Sequence, residues 1–427
     1  MRKKRVITIV LLIMAIVVFG SCSKRGQSIN DGRLIVAHWD VNVGGQGDNI
    51  VALVNAFKVK HPGIDVEIID IPSTDYTQKL QIMLNGGSDV DVFWIKDGDT
   101  TKGLVNRGQL ADLTAYAKQD NIDLSDFSGL AERFVIDGKL VALPASTSYY
   151  VLFYNKDIFD NAGIPYPSNN MTWTEWEKLA EQLSSGSGVN RIYGGLLHTW
   201  PALVQNWGVQ SGRFTIMDYE AGYSFFKPYY EMALRMQDNQ SIWDYGALRS
   251  AGIHYSSLFL QGYIATMPMG TWFYANMIER INSGESNIRW GIATLPRPAG
   301  VTQGWTVGSV TPIAMNQASN RKDTAWEFIK FITSEEGARI YASHGILPGR
   351  ADENSLSVIA SLSGMPEGAL EALQVKNIAL DRPMVDHVAE VNQMLGQEHG
   401  MIMLKEVSIE RGLENMTRRS RQIQTAR

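Results

Sequence analysis

Leu34-Ile-Val-Ala-His-Trp39, Ile64-Asp-Val-Glu-Ile-Ile69 and Val90-Asp-Val-Phe-Trp94 are three short apolar runs, and what separates them decides the fold class. After the first comes a loop, Gly44-Gly-Gln-Gly-Asp48, and then Ile50, Leu53, Val54 and Phe57 recur at helical spacing. Asp48 or Asn49 can cap the start of that helix, and His61-Pro62-Gly63 stops it. The second run alternates polar and apolar residues, as a strand does. A further helix over residues 76–85 ends at Gly86-Gly87, and the third run follows. Strand, helix, strand, helix, strand is the pattern of an α/β domain with a mainly parallel sheet. In such sheets ligands sit beyond the carboxyl ends of the strands. That points to Trp39-Asp40, Ser73-Thr74 and the stretch from Trp94 to Asp97.

The chain has 427 residues, enough for two or three domains. Hydrophobic residues make up 44% and charged residues 19%, the balance of a folded globular protein rather than a disordered one. Lys plus Arg is 39 against 44 Asp plus Glu, a formal charge of -5, which argues against a nucleic-acid partner that needs a basic face. The only cysteine is Cys22, so no intrachain disulfide forms and no metal site uses two thiolates. No metal or other cofactor is implied.

Arg2-Lys3-Lys4-Arg5 is a cationic start, and Val6 to Gly20 is an uncharged apolar stretch. That stretch is shorter than the roughly 20 residues a membrane-spanning helix needs, and has the length of a signal-peptide core. It ends at Phe19-Gly20-Ser21-Cys22, which resembles the bacterial lipobox, in which the cysteine is acylated and becomes the mature N-terminus. Phe19 departs from the leucine usual there. The alternative is ordinary signal-peptidase cleavage with an incidental cysteine. Residues 1–21 then form the signal peptide, and 22–32 a polar, flexible tether. No later segment approaches 18 uninterrupted apolar residues, so the body is expected to be soluble and anchored rather than spanning.

Beyond the first domain, Trp173 to Leu183 reads as a helix capped by Thr172 or Thr174. Residues 200–281 read as largely helical with many aromatics, and 385–421 as helical again. Phe57 with His61-Pro62-Gly63-Ile64, Asp91-Val-Phe-Trp94 and Asp137-Gly-Lys-Leu-Val-Ala-Leu-Pro144 form an ordered set of short motifs. Leu152-Phe-Tyr-Asn-Lys-Asp157, Thr172-Trp173 with Glu175-Trp176, Gly262 to Trp272, Ala325 to Ile329 and Leu347-Pro-Gly-Arg350 continue it. Together they resemble the sugar-binding, maltose-binding-protein-like family of bacterial extracellular solute-binding proteins, across nearly the whole mature chain.

The resemblance implies a two-lobed periplasmic-binding-protein fold, type II-like, with mixed, mainly parallel sheets. It places lobe one at residues 33–146 plus 308–348 and lobe two at 149–303 plus 350–427. Several crossings join the lobes, near Pro144 to Tyr149, Gln303 to Gly308 and Pro348. It implies a non-enzymatic, monomeric protein that captures a mono- or oligosaccharide and delivers it to the transmembrane subunits of an ABC importer. Such a protein sits in the cell envelope, held to a membrane by its lipid anchor and exposed to the periplasm or the cell exterior.

A sugar ring needs flat aromatic surfaces for its C–H faces and polar groups for its hydroxyl rim. Lobe one offers Trp39, Asp40, Gln46, Trp94 and Asp97; lobe two offers Trp200 and Trp272; Tyr149, Trp305 and Arg350 lie near the crossings. Trp272 carries the most weight, because Gly270-Thr-Trp272 resembles the family's stacking position. Trp173, Trp176, Trp290 and Trp326 are assigned to packing, and Asp91 to capping or solvating a strand. The 7 histidines show no HExxH spacing, and neither a nucleophile elbow nor a phosphate loop is present. A lipid-anchored glycosidase, which also needs aromatics with paired carboxylates, is the rival function. A carbohydrate-binding surface lipoprotein is a third.

Overall fold

The computed structural model describes residues 33–42, 47–96, 98–127, 129–200, 202–350 and 353–426. Cys22, Gln46 and Asp97 lie outside them. The first three strands are β1 (Arg33–Trp39), β2 (Asp65–Ile71) and β3 (Val92–Trp94). Both partners of β1 run parallel to it, with Val36 opposite Val92 on one side and Ile68 on the other. The intervening helices are α1 (Asp48–Lys60) and α2 (Tyr76–Asn85). Helix α1 turns Ile50, Leu53, Val54 and Phe57 inward, the residues whose spacing predicted it. Asp91 is buried rather than solvated: it accepts hydrogen bonds from the Ile35 N–H at 2.9 Å and the Ser319 hydroxyl at 2.6 Å. A buried carboxylate needs such partners, so its role is to tie β1 to the segment after the last long strand.

The chain then enters β4 (Leu143–Asn155), the strand on which the whole molecule turns. Over Leu143 to Tyr149 it pairs antiparallel with β8 (Trp305–Met315), which also borders β3. From Tyr150 onward it leaves that partner for β6 (Ile264–Gly270) and β7 (Trp290–Thr294). Strand β5 (Tyr193–Gly195) lies outside β6, and β9 (Asn377–Leu380) runs parallel to the first residues of β8. The result is a nine-stranded mixed sheet, ordered β2-β1-β3-β8-β4-β6-β5 with β9 and β7 alongside. Residues 264–270 are thus a fully buried strand inside a region that periodicity reads as helical; a short all-apolar run carries no period that separates the two.

Helix α3 (Trp173–Leu183) opens with a capping box in which Thr172 and Glu175 bond each other's backbone. It buries Trp173 and Trp176, so the Thr-Trp-x-Glu-Trp signature is a helix start with a packed face.

Two sets of core residues result. Leu34, Phe57, Phe93, Ala145, Val310, Phe328 and Tyr341 belong to one cluster. Tyr149, Tyr150, Val307 and Leu347 belong to clusters of the other half. Membership switches between 145 and 149, between 307 and 310, and between 341 and 347, so three segments cross from lobe to lobe. They are stitched together: the Thr147 N–H donates to the Leu347 carbonyl and the Gly349 N–H to the Ala145 carbonyl. A Cβ at residue 349 would lie 2.2 Å from the Pro144 carbonyl oxygen, so only glycine lets the third crossing come this close.

Candidate functional site

Between the lobes lies a cleft of about 710 Å³ whose floor is the crossing strands. Side chains alternate along β4: Ser146, Ser148 and Tyr150 face this cleft, with Ser309 and Thr311 of β8 beside them. The Ser148 and Ser309 hydroxyls lie 3.0 Å apart, a polar floor shared by two crossings. The cleft continues outward past Asn49, Lys96, Trp200 and Trp272 toward Ser73, His254 and Tyr255.

Lobe one supplies a wall of aromatic rings. The Trp39 indole, half-buried, stacks on the His38 imidazole at 4.2 Å and meets Tyr76 edge-on at 5.1 Å. Trp94 borders the cleft but is only 1% exposed, and its indole N–H donates to the Tyr341 hydroxyl at 3.0 Å. It is a core ring at the cleft's base. Burial lowers His38 to about 4, so it is neutral at physiological pH, with Nδ1 against the Trp39 carbonyl. The Lys96 ammonium donates to the Ser73 carbonyl at 2.6 Å, holding a cation at the cleft edge.

Lobe two answers with Trp272, Trp200 and Tyr255. Trp272 begins α4 (Trp272–Asn282) directly after β6, and is 37% exposed. Its ring lies over residue 270, where a Cβ would come within 2.0 Å of it, so the glycine is the seat of the indole. Tyr150 meets that ring edge-on at 5.4 Å, and Trp200 stands 6.2 Å away. Tyr255 hydrogen-bonds the Trp272 side chain and packs edge-on against Trp200 at 5.5 Å. Burial, and secondarily neighbouring His254, hold His198 beneath Trp200 down at about 4.

Asp381 and Arg382 complete the cleft, and sequence reasoning missed them. They follow β9, whose parallel pairing with β8 delivers them to the floor, and the Asp381 N–H donates to the Gly308 carbonyl. The two side chains pair at 3.7 Å. Asn392 also reaches this wall.

Of the sequence-predicted residues, Trp39, Trp94, Trp200 and Trp272 come together at this cleft. Four do not. Asp40 turns its carboxylate to the Ser73 N–H at 2.8 Å, bracing the loops after β1 and β2. Tyr149 points to the opposite face of β4 from Tyr150, with its hydroxyl donating to the Leu373 carbonyl. Trp305 lies on that rear face against Gly212. Arg350 is held by Asp126, with Glu335 at 3.9 Å, and serves the third crossing. Among the described residues, no group of three His, Cys, Asp or Glu side chains could hold a metal.

The sequence model for "bacterial extracellular solute-binding protein" matches residues 43–339. The chain belongs to that family. A sugar transporter of Rhizobium etli, solved in an open conformation, is 38% identical, with a TM-score of 0.82 over 92% of this chain and all of that one (100%). An ABC substrate-binding protein of Listeria monocytogenes, in complex with cycloalternan, is 22% identical with a TM-score of 0.77 over 92% of this chain and 99% of that one. The galactooligosaccharide-binding protein of Bacillus subtilis is 22% identical over 309 residues, 69% of this chain and 68% of that one. The fold is therefore that of sugar-binding ABC solute-binding proteins, two lobes around a cleft. Its homologues are transport components rather than enzymes. Membership of an extracellular family implies a periplasmic or exterior location. No helix among the described residues is long and apolar enough to cross a membrane.

Proposed function

We propose that this solute-binding protein captures a mono- or oligosaccharide in the cleft and hands it to the transmembrane subunits of an ABC importer, acting as a lipid-anchored monomer. One observation carries the reading: exposed or half-exposed indoles of both lobes, Trp39 on one side and Trp200 with Trp272 on the other, converge over a floor of hydroxyls. Opposed flat apolar faces above hydroxyl-bonding groups are the complement of a sugar ring. Asp381, Arg382, Asn392 and Lys96 supply rim donors and acceptors. Residues 33–146 with 308–348 form the lobe that carries Trp39, and 149–303 with 350–427 the lobe that carries Trp272. The galactooligosaccharide and cycloalternan ligands named for two relatives favour an oligosaccharide over a single ring. So does the outward continuation of the cleft past Trp272.

A thermal-shift screen against a carbohydrate panel tests this. A ligand at 100 times its Kd adds about 2.7 kcal/mol to stability, a shift easily seen. Flat responses across mono- and oligosaccharides would refute carbohydrate capture. Reducing ends appearing after hours with a bound oligosaccharide would replace the transport reading with a glycosidase. The anchor rests on Cys22 following an apolar leader and two small residues, Gly20-Ser21. Replacing Cys22 with Ala should release the protein from the membrane fraction. Unchanged retention, without acyl mass on the wild type, would refute lipidation.

A further inference from the structure

The crossing strand β4 has a second face, and it too opens onto a cavity. Tyr149 lines this rear cavity and Thr147 borders both it and the front cleft, while Ser146, Ser148 and Tyr150 serve the front alone. Its volume is about 600 Å³, within the range of small-molecule sites. Both lobes build it: Leu130 and Arg133 come from lobe one, Leu373 and Lys376 from lobe two, and Trp305 from the second crossing. Leu130, Leu347, Leu356, Leu373 and Trp305 supply apolar lining, alongside Thr147, Thr215 and Asn377.

The charges are one-sided. Arg133 and Lys376 are the cations of the lining, and among the described residues no carboxylate joins them. Neither side chain makes a hydrogen bond or ion pair among the described residues; Arg133 has only the longer-range field of adjoining Glu132. Arg289 and Arg235, by contrast, are paired, the first to Asp157 and Asp160 and the second to Glu177. Both cations are exposed residues, so they stand at the mouth with the apolar surface behind them.

We infer that this rear cavity is a binding site for an amphipathic monocarboxylate, its head between Arg133 and Lys376 and its apolar body against Leu130, Leu356, Leu373 and Trp305. Two unpaired cations beside the leucines and Trp305 match such a ligand in both charge and hydrophobicity.

Isothermal titration of the purified protein with decanoate tests the site, with decanol as the uncharged probe of the same tail. Decanoate should bind saturably at one site per chain, and decanol at least about tenfold more weakly, the loss of one charge-assisted contact. The double variant Arg133→Glu with Lys376→Glu should lose decanoate binding and keep its melting temperature, because both positions are exposed. The single variants Arg133→Gln and Lys376→Gln should each weaken it. Equal affinity of decanoate and decanol, equal binding by the double variant, or no saturable binding would overturn the assignment. So would loss of decanoate binding in Trp272→Ala, which would move the anion to the front cleft.

Discussion

Trp39 and Trp94 reach the cleft from the carboxyl ends of β1 and β3, braced by the core of lobe one. Trp272 and Trp200 stand on a helix start and a loop of lobe two, braced mainly by each other, Tyr150 and Tyr255. The two walls present the same chemistry from opposite mechanical situations. In lobe one the cleft surface is the end of the core, so the rings that line the cleft also hold the sheet to its helices. In lobe two the platform is added on top of the core and seated on a glycine, so it can vary without disturbing what lies beneath. A protein that must keep one fold while changing its sugar has its freedom on the second wall.

The sharpest way to break this contrast is to truncate one ring from each wall and compare stability. Trp94→Ala removes a fully buried indole together with its hydrogen bond to Tyr341. It should lower unfolding free energy by about 3–5 kcal/mol, the usual cost of a core Trp or Phe truncation, read from urea midpoints. Trp272→Ala should leave the midpoint nearly unchanged. Equal losses in the two variants would show that the walls are built alike.

Acid sharpens the contrast next. Burial lowers His38 of lobe one to about 4, and His198 and His399 of lobe two to about 4 and about 3. An unfolded histidine titrates near 6.5, so between that pH and the folded values the unfolded chain binds more protons. Stability from these groups is complete above pH of about 6.5 and declines as pH falls toward 4. Each histidine contributes a slope approaching about 1.4 kcal/mol per pH unit. Two of the three sit in lobe two, so that lobe should unfold first in acid. Urea titrations between pH 7 and 4.5 should show the fall, and His399→Gln should flatten it. A stability independent of pH across that window would contradict the burial of all three rings.

Ligand affinity separates the walls a third way. Trp272→Ala should weaken sugar binding by at least about 2 kcal/mol, roughly thirtyfold in Kd, as for a buried aromatic at a binding centre. Gly270→Ala should do nearly the same without touching the indole, because the added Cβ would occupy the ring's seat at 2.0 Å. Both would be read by calorimetry with whichever sugar the panel selects. If Gly270→Ala binds like the wild type, the ring has a second place to stand and the seat argument fails.

The same contrast governs what could be read from the sequence. Lobe one was legible because its strands and helices alternate at short range: periods of two and of 3.6 succeed each other within sixty residues of β1. Lobe two was legible only in part: the helix over Trp173–Leu183 showed its cap, but β6 carries Ile264 to Gly270 buried on both faces and so has no period at all. Tyr149 and Tyr150 show how fine the limit is. A shift of one residue along a strand exchanges its faces, and only the pairing of Ser148 with Ser309 decides which tyrosine looks into the cleft. Asp381 and Arg382 had no local signal whatever; they reach the floor because β9 pairs with a strand some seventy residues earlier in the chain. Trp272 was singled out by the resemblance of Gly270-Thr-Trp272 to a family motif; that the glycine seats its ring is visible only in the structure.

The smallest expected effect belongs to the floor between the walls. Ser148 and Ser309 face each other across β4 and β8, in the segment where core membership changes from one lobe to the other. Their hydroxyl pair is partly buried, so Ser148→Ala leaves Ser309 able to find water, and the stability loss should stay within about 0.5–1.5 kcal/mol for one neutral hydrogen bond. The slope of unfolding against urea should not change, since the surface exposed is the same. Affinity decides what the floor does. If it serves only to join the lobes, sugar binding in Ser148→Ala should stay within a few-fold of the wild type, and recognition is confined to the two walls. A loss beyond about tenfold, more than 1.4 kcal/mol, with the urea midpoint nearly intact, would make the hydroxyl a direct ligand contact. The contrast between a structural wall and an adaptable one would then gain a third surface, shared by both lobes and alterable by neither alone.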